Sequence, residues 1–196
     1  MPSWSRCSQR LRGFTLLLSL LAAFAAVAQN APAQRAVILE KARFIADHLP
    51  GAPARGSELR PDETLLARAA EKYRMAPARH TFEVYLAPTG EDGHPAGGAI
   101  FLEMAYGEGS LLLGLVLSDE LRVLKAALLE VSPRYREDFE TTTGTGILTR
   151  YTMMSARQLG YLASQLKKQG AAGEVVGNGI HHMGAVLATF LEQHRP

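Results

Sequence analysis

The sequence is poor in cysteine, with Cys7 the single example among 196 residues. One thiol cannot form a disulfide within the chain, which excludes the small secreted proteins that disulfides hold together. The hydrophobic content of the chain, 47% of its residues, is higher than that of a disordered protein. Its 18 glycines have no three-residue period, which excludes a collagen-like chain. This composition is that of a globular domain, and it points to no particular reaction.

The first thirty residues have the organisation of a secretory signal peptide. The first twelve residues contain three arginines and no acid, and an apolar run follows from Phe14 to Val27. Ala26 and Ala28 place small side chains at both positions that a signal peptidase recognises, so cleavage is predicted after Ala28. An uncleaved membrane anchor is the alternative, but a bilayer span needs roughly 20 apolar residues. We therefore predict a periplasmic or secreted protein from which residues 1–28 are removed.

The mature chain, residues 29–196, has a different charge from the whole sequence. Loss of the three N-terminal arginines leaves 18 basic and 19 acidic side chains, which changes the formal net charge from +2 to −1. A strongly basic surface for nucleic acid is therefore not expected. The mature chain contains no cysteine, which is compatible with an oxidising periplasm. It has no second apolar run of roughly 20 residues, so no membrane span is predicted in it.

Two helices are predicted before the first strand. An apolar stripe with helical spacing predicts a helix over residues 35–49, which Pro50-Gly51 ends. Pro61-Asp62-Glu63 then opens a second helix, because its acids suit the positive N-terminal end of a helix dipole. Pro77 ends that second helix.

The middle of the chain has the pattern of a sheet. Phe82–Leu86 alternates between apolar and other residues, which is typical of a half-buried strand. Three further strands are predicted over Ala99–Ala105, Leu111–Leu117 and Leu121–Val131. The turns that join these three strands are too short for a helical crossover, so the strands are predicted to pair as an antiparallel meander.

Two more helices are predicted near the end of the chain. Ser132–Gly146 is polar and is predicted to be a loop. Ser155 and Gln158 have the spacing of a capping box, which favours a helix start there. Gly170–Gly179 is rich in glycine, and the last helix is predicted over about Ile180–Gln193. The predicted fold class is α+β: a single domain in which an antiparallel sheet packs with two N-terminal and two C-terminal helices.

Chemistry-bearing motifs are scarce, and no catalytic residue is predicted. The nucleophile motif G-x-S-x-G is absent from the sequence. His181 and His182 are adjacent, so on a helix their side chains diverge by about 100° and this pair alone does not predict a metal site. The acids within Arg134–Glu140 would support a hydrolase as a weaker alternative, although such mixed charge is typical of a solvated loop.

Two glycine-containing segments have the composition of anion-binding loops. Thr141–Gly146 combines four hydroxyls with two glycines, so its backbone N–H groups could approach an anion closely. Gly177-Asn178-Gly179 directly precedes the predicted last helix, whose first N–H groups would form a natural phosphate site. The alternatives are a flexible turn for the first segment and a turn that merely caps the helix for the second.

Several phrases occur along the mature chain in an order that resembles the bacterial FMN (flavin mononucleotide)-binding domain. Leu49-Pro50-Gly51-Ala52 is similar to the F-P-G-A phrase that ends a helix in this family, and Leu59–Glu63 is similar to its L-T-x-x-Q phrase. Leu115–Val123 resembles a strand-turn-strand phrase of the family, and Leu159–Leu166 resembles F-L-x-Q-F. The family occurs in subunits of the Rnf and sodium-pumping quinone reductase complexes and in secreted stand-alone proteins.

The chain departs from this family at the flavin site. The final helix of the family opens with S-G-A-T or a close variant, whose Thr is joined to the flavin phosphate in many members. Gly177-Asn178-Gly179-Ile180 stands at those positions here, and Ile180 has no hydroxyl to esterify. The resemblance therefore implies non-covalent binding of FMN by an exported domain that transfers electrons to a redox partner in the cell envelope. A flavin-free periplasmic interaction module on the same fold is the alternative.

The resemblance and the glycine-containing segments together define a set of candidate cofactor-binding residues. The predicted residues are Gly177, Asn178, Gly179 and His181, followed by Thr143, Gly144 and Thr145. The resemblance implies an electron-transfer or binding domain more than a stand-alone enzyme.

Overall fold

A six-stranded antiparallel sheet forms the centre of the molecule. The computed structural model describes residues 35–49, 51, 56–76, 79–89, 93–144 and 147–194. The predicted signal peptide, residues 1–28, and the candidate residue Thr145 lie outside the described residues. The strands are β1 (Ala36–Val37), β2 (Ser57–Leu59), β3 (Phe82–Leu86), β4 (Gly97–Tyr106), β5 (Gly109–Ser118) and β6 (Val123–Val131). Their order across the sheet is β1-β6-β5-β4-β3-β2.

The predicted antiparallel meander and the α+β class are confirmed. β3 has the predicted bounds, whereas β4 and β5 are longer by one to two residues at each end. Gly107 lies in the turn between β4 and β5 with φ +57°, a left-handed conformation that favours glycine. Leu121 also has a positive φ of 61°, so it belongs to the preceding turn and β6 begins at Val123, two residues later than predicted.

Among the described residues, five α-helices pack around this sheet. They are α1 (Lys41–His48), α2 (Glu63–Tyr73), α3 (Arg136–Thr143), α4 (Leu159–Lys167) and α5 (Ala171–Gln193). α5 packs on β4 and β5 and is flanked by α2 and α4, so the larger part of the core lies on this face of the sheet. α1 covers the opposite face, where Phe44 is fully buried. Among the described residues, no helix combines the length and apolar character needed to cross a membrane.

The predicted start of α2 and the predicted capping box agree with the structure, whereas the predicted bounds of the first helix do not. α2 begins at Glu63, and the Asp62 side chain accepts a hydrogen bond from the backbone N–H of Leu65 at 2.7 Å. The predicted capping box also forms, since the backbone N–H of Ser155 donates to Gln158 Oε1 at 3.0 Å. The first helix is shorter than the predicted residues 35–49, because Ala36–Val37 pairs with β6 as an edge strand before α1 starts.

The segment Ser132–Gly146 is not the uniform loop that its polarity predicts. Arg136–Thr143 forms α3, and two acids in its first turn suit the positive end of the helix dipole. Phe139 is fully buried and anchors this short helix to the core. Burial of this apolar side chain holds a helix in a segment that is otherwise mostly polar.

The predicted start of the last helix at Ile180 is wrong, because α5 begins nine residues earlier at Ala171. Glycine costs roughly 1 kcal/mol relative to alanine within a helix, which is why a glycine-rich segment predicts a loop. Here the glycines allow close packing between helices. A Cβ atom on Gly177 would lie 2.9 Å from the Cα atom of Ala163 in α4, and one on Gly173 would overlap the carbonyl oxygen of Leu166. This packing outweighs the intrinsic preference of the segment.

An ion pair joins the start of α1 to β3 and gives a pH prediction. Lys41 Nζ donates to both carboxylate oxygens of Glu83 at 2.7 and 2.9 Å, and the Tyr85 hydroxyl donates to the same group at 2.6 Å. Burial alone would raise the pKa of Glu83, but the hydrogen bonds from Lys41 and Tyr85 and the charge of Lys41 outweigh it, so this pKa is lower than its ordinary value of 4.5.

Because the lowered pKa belongs to the folded state, the contribution of Glu83 to stability is complete above pH 4.5 and is lost as the pH falls further. We expect the Glu83→Gln variant to lose less stability than the wild type between pH 5 and roughly pH 3 in urea unfolding. Glu71→Gln, on the exposed side of α2, is the control and should keep the wild-type pH dependence. Equal pH dependence in all three proteins would contradict the assignment.

Candidate functional site

A cleft with a volume of about 590 Å³ lies where α2, α4 and α5 meet. α2 contributes its C-terminal end, and the turn before α4 contributes Arg157. Asn178 and His181 stand one helical turn apart on α5 and face the cleft together. The lining residues are Tyr73, Arg74, Ala76, Arg157, Gly160, Tyr161, Ala163, Ser164, Lys167, Asn178 and His181. We call this the three-helix cleft.

His181 joins two of the helices that form the three-helix cleft. Its Nε2–H donates to the backbone carbonyl of Tyr73 at 2.9 Å, which satisfies one of the free carbonyl groups at the end of α2. Gly160 makes room for the ring, since a Cβ atom there would lie 3.0 Å from His181 Cε1. Burial lowers the pKa of His181 more than the Tyr73 carbonyl raises it, so the imidazole is neutral at neutral pH.

The charges in the three-helix cleft are all positive. Arg74, Arg157 and Lys167 belong to its lining, and no acidic side chain does. Lys167 donates to Glu174 at 2.6 Å, beside the cleft. Within the part of the chain that the structure describes, Arg74 and Arg157 make no ion pair, and both are exposed. Guanidinium groups in this state favour binding of a carboxylate or phosphate.

An exposed aromatic ring completes the three-helix cleft. Tyr161 lies on α4 with 66% of its surface exposed. A ring in this position offers a flat face on which a planar ligand can stack. The arrangement can therefore hold a molecule that has both an aromatic part and an anionic part.

A second cavity adjoins the three-helix cleft and has a different chemistry. It has a volume of about 260 Å³ and shares Ala76, Asn178 and His181 with the cleft. Its full lining is Met75, Ala76, His80, Met104, Asn178, His181 and His182. We call it the His–Met cavity. Among the described residues, no group of three or more His, Cys, Asp and Glu side chains is arranged to hold a metal ion.

A further groove of about 610 Å³ lies on the other side of Arg157, between α2 and the end of α5. Its lining contains charges of both signs, and Lys72 pairs with Glu192 at 2.6 Å within it. Because Lys72 and Glu192 neutralise each other and Glu71 adds a further acid, the groove offers less to an anionic ligand than the three-helix cleft does.

The structure brings only part of the predicted α5 site together. Asn178 and His181 line both the three-helix cleft and the His–Met cavity. Gly177 and Gly179 instead face the interior, against Ala163 and Met104 respectively. The predicted phosphate site at a helix start is wrong in its geometry, since these residues lie inside α5 and not at its first turn.

The predicted second segment lies elsewhere. The Thr143 hydroxyl donates to the carbonyl of Phe139 at 2.7 Å within α3, and the N–H of Gly144 donates to the carbonyl of Glu140 at 2.8 Å. Neither residue belongs to the lining of the three-helix cleft, and Thr145 lies outside the described residues. The helical hydrogen bonds at Thr143 and Gly144 are those of an ordinary helix end.

Two of the three acids considered for a hydrolase, Asp138 and Glu140, bind neighbouring surface side chains. Arg136 pairs with Glu140 one turn along α3 at 2.5 Å. Asp138 accepts a hydrogen bond from the Tyr106 hydroxyl at 3.4 Å. This is the solvated mixed-charge surface that the sequence favoured over a catalytic acid.

Sequence reasoning missed the basic and aromatic residues of the three-helix cleft: Arg74, Arg157, Tyr161 and Lys167. Each stands near the end of a helix or on a polar helix face, where such residues are common. Their convergence depends on how α2 and α4 pack against α5, and a single sequence does not contain that information.

Comparison of the chain with protein-family models, with curated proteins and with solved structures gave no match.

Proposed function

We propose that this protein is an exported domain that binds FMN non-covalently in the three-helix cleft and acts as an electron carrier in the cell envelope. The observation that carries the proposal is the convergence of unpaired guanidinium groups and an exposed tyrosine ring in one cleft. The cleft volume of about 590 Å³ lies within the roughly 300–1,000 Å³ range of small-molecule sites. The signal-peptide pattern of residues 1–28 supports the export part of the proposal.

The residues present suit the chemical groups of FMN. Arg74 and Arg157 would hold the phosphate by charge-assisted hydrogen bonds, with Lys167 adding positive charge nearby. Tyr161 would contact the planar ring system, and the Asn178 amide supplies both a donor and an acceptor for its polar edge. The flavin, when bound, supplies the redox chemistry, while the protein holds it in place and shields one side of it from water.

Covalent attachment of the cofactor is not part of the proposal. Ile180, which stands where the family's threonine is joined to flavin, is fully buried as well as lacking a hydroxyl. Gly177–Gly179 lie inside α5, so they do not supply the free N–H groups of a helix start. The phosphate contacts are therefore assigned to side chains of the three-helix cleft.

FMN binding is expected to depend on the two arginines. A hydrogen bond to a charged group contributes about 1.5–3 kcal/mol, so Arg157→Ala should weaken FMN binding by roughly tenfold or more. Arg74→Ala should have an effect of similar size. Quenching of flavin fluorescence on titration with purified protein measures the affinity directly.

Riboflavin, which has the ring but no phosphate, tests the assignment of these contacts. It should bind the wild type more weakly than FMN does, and Arg157→Ala should leave its affinity unchanged. Arg68→Ala is the matched control, because Arg68 is an exposed arginine that lines the neighbouring groove and not the three-helix cleft. Absence of quenching at millimolar FMN would overturn the proposal.

A flavin-free interaction module is the second candidate function. The continuity of α5 through Gly177–Ile180 favours it, because the helix start that a phosphate would use is absent there. On this interpretation Tyr161 and the two arginines would contact an acidic partner protein instead of a nucleotide. Flavin absorbance in protein isolated from its own host would exclude this candidate.

A further inference from the structure

We propose that the His–Met cavity binds one monovalent copper ion, Cu(I), through the imidazoles of His80 and His182 and the sulfur of Met104. This inference goes beyond the proposed function and does not depend on it. The residues come from three separate parts of the chain: the segment before β3, strand β4 and helix α5. Their convergence in one cavity of about 260 Å³ is the observation on which the proposal rests.

The two imidazoles are separated by a distance that suits a shared ion. A metal bound about 2.0 Å from a ring nitrogen lies roughly 3 Å from the ring centre, so two rings on one metal at a tetrahedral angle have centroids roughly 5 Å apart. The ring centroids of His80 and His182 are 5.1 Å apart, and the ring planes meet at 77°. Phe82 contacts the His182 ring, with centroids 6.0 Å apart, and restricts its position.

The Met104 thioether lies against the turn of α5 that contains Gly179 and His182. A Cβ atom on Gly179 would lie 2.6 Å from Met104 Sδ, so the absence of a side chain at Gly179 allows the sulfur to lie against the helix. Gly179 and His182 are three residues apart and therefore share one face of α5. Met75, which is 6% exposed, supplies a second sulfur on the wall of the cavity.

His181 is not one of the proposed ligands, although it also lines the cavity. Its Nε2 atom donates to the Tyr73 carbonyl at 2.9 Å, which commits that nitrogen to the end of α2. The proposed ligands are His80 and His182 because their rings contact each other within the cavity.

The lining favours a soft ion of low charge. It contains imidazole, thioether and one amide but no carboxylate, whereas Mg²⁺ and Ca²⁺ require oxygen ligands. Thioether sulfur is a soft ligand that selects Cu(I), and imidazole binds copper well. Arg74 and Arg157 in the adjoining three-helix cleft repel cations, and they oppose a divalent ion about twice as strongly as a monovalent one.

The test is a titration of the purified protein with Cu(I) under anaerobic conditions, in competition with a coloured Cu(I) chelator. We expect one ion per chain, with Ag(I) binding at the same site, and X-ray absorption should show both nitrogen and sulfur neighbours around the copper. Met104→Leu removes the sulfur at nearly constant volume, and His80→Gln removes a half-buried imidazole. Each should weaken Cu(I) binding at least roughly tenfold, since even outer-shell partners of metal ligands contribute 10–100-fold.

Two variants outside the cavity are the controls. Met153→Leu replaces an exposed methionine and His94→Gln a histidine that bonds the backbone of His194, and both should bind Cu(I) as the wild type does. Thermal unfolding of each variant without metal verifies that the fold is kept. Equal affinity in Met104→Leu, His80→Gln and the wild type would overturn the proposal, as would stoichiometric binding of Zn²⁺ in preference to Cu(I).

Discussion

Replacement of Gly177 by valine is expected to destabilise the protein by about 3 kcal/mol, because overpacking in a close-packed interior typically costs 1–3 kcal/mol and occasionally more. The Cβ atom alone would lie 2.9 Å from the Cα atom of Ala163 and 3.1 Å from its carbonyl oxygen. Both atoms belong to the backbone of α4, so no rotation of a side chain can relieve the contact. The two methyl groups of valine would force α4 and α5 apart, and with them two walls of the three-helix cleft.

The neighbouring residue provides a matched control in the same helix. Asn178 is exposed, so Asn178→Ala should be neutral or slightly stabilising, given the higher helix propensity of alanine. For a domain of this size, a loss of about 3 kcal/mol should lower the melting temperature by roughly 6–12 °C. If Gly177 lay in a loop before the helix, as the sequence alone predicts, the valine variant would melt close to the wild type.

Replacement of Phe44 by alanine is expected to cost about 3–5 kcal/mol, the usual range for a fully buried phenylalanine. The Phe44 ring packs between α1 and the sheet, in the core cluster on that face. Its centroid lies 5.9 Å from that of Phe101 in an edge-to-face arrangement, and a Cβ atom on Gly114 would lie 3.0 Å from Phe44 Cε1. Truncation would leave a cavity between α1 and the sheet, since neither neighbour can move into the space without losing its own contacts.

The loss of stability is measured by urea unfolding, monitored by circular dichroism. The control is Arg43→Ala, a change at an exposed residue of the same helix, whose free energy of unfolding should remain within about 0.5 kcal/mol of that of the wild type. Phe44 belongs to the core on the face of the sheet opposite the three-helix cleft. The folded fraction of Phe44→Ala should therefore bind FMN with wild-type affinity if the proposed function is correct. A stability loss below 1 kcal/mol would show that α1 is held to the sheet by other contacts.

The sheet could be predicted from the sequence because its signals are local. Phe82–Leu86 alternates with period two, and tight turns such as the one at Gly107 fix antiparallel pairing between neighbours in the chain. The two shortest strands, β1 and β2, could not be found in this way. They contain two and three residues and are strands only because β6 and β3 lie beside them.

The candidate site was harder to predict, because it depends on how helices pack. Local preference at Gly177 and Gly179 indicates a loop, and the contacts with α4 and β5 that reverse this preference come from residues distant in sequence. Asn178 and His181, predicted as cofactor-binding residues beside a helix start, lie inside α5 and line a cavity there. Arg157 carries no signal in the sequence, since an exposed arginine is ordinary until its neighbours are known.

The two edge strands of the sheet affect how the protein can self-associate in concentrated solution. β1 and β2 are only two and three residues long, so each of these edge strands offers few unpaired N–H and C=O groups to the strand of another molecule. The long apolar strands β4 and β5 are paired on both sides and lie between these edge strands. The fold thus keeps its longest apolar strands away from self-association by pairing both of their edges, and this protection does not depend on the net charge of the chain.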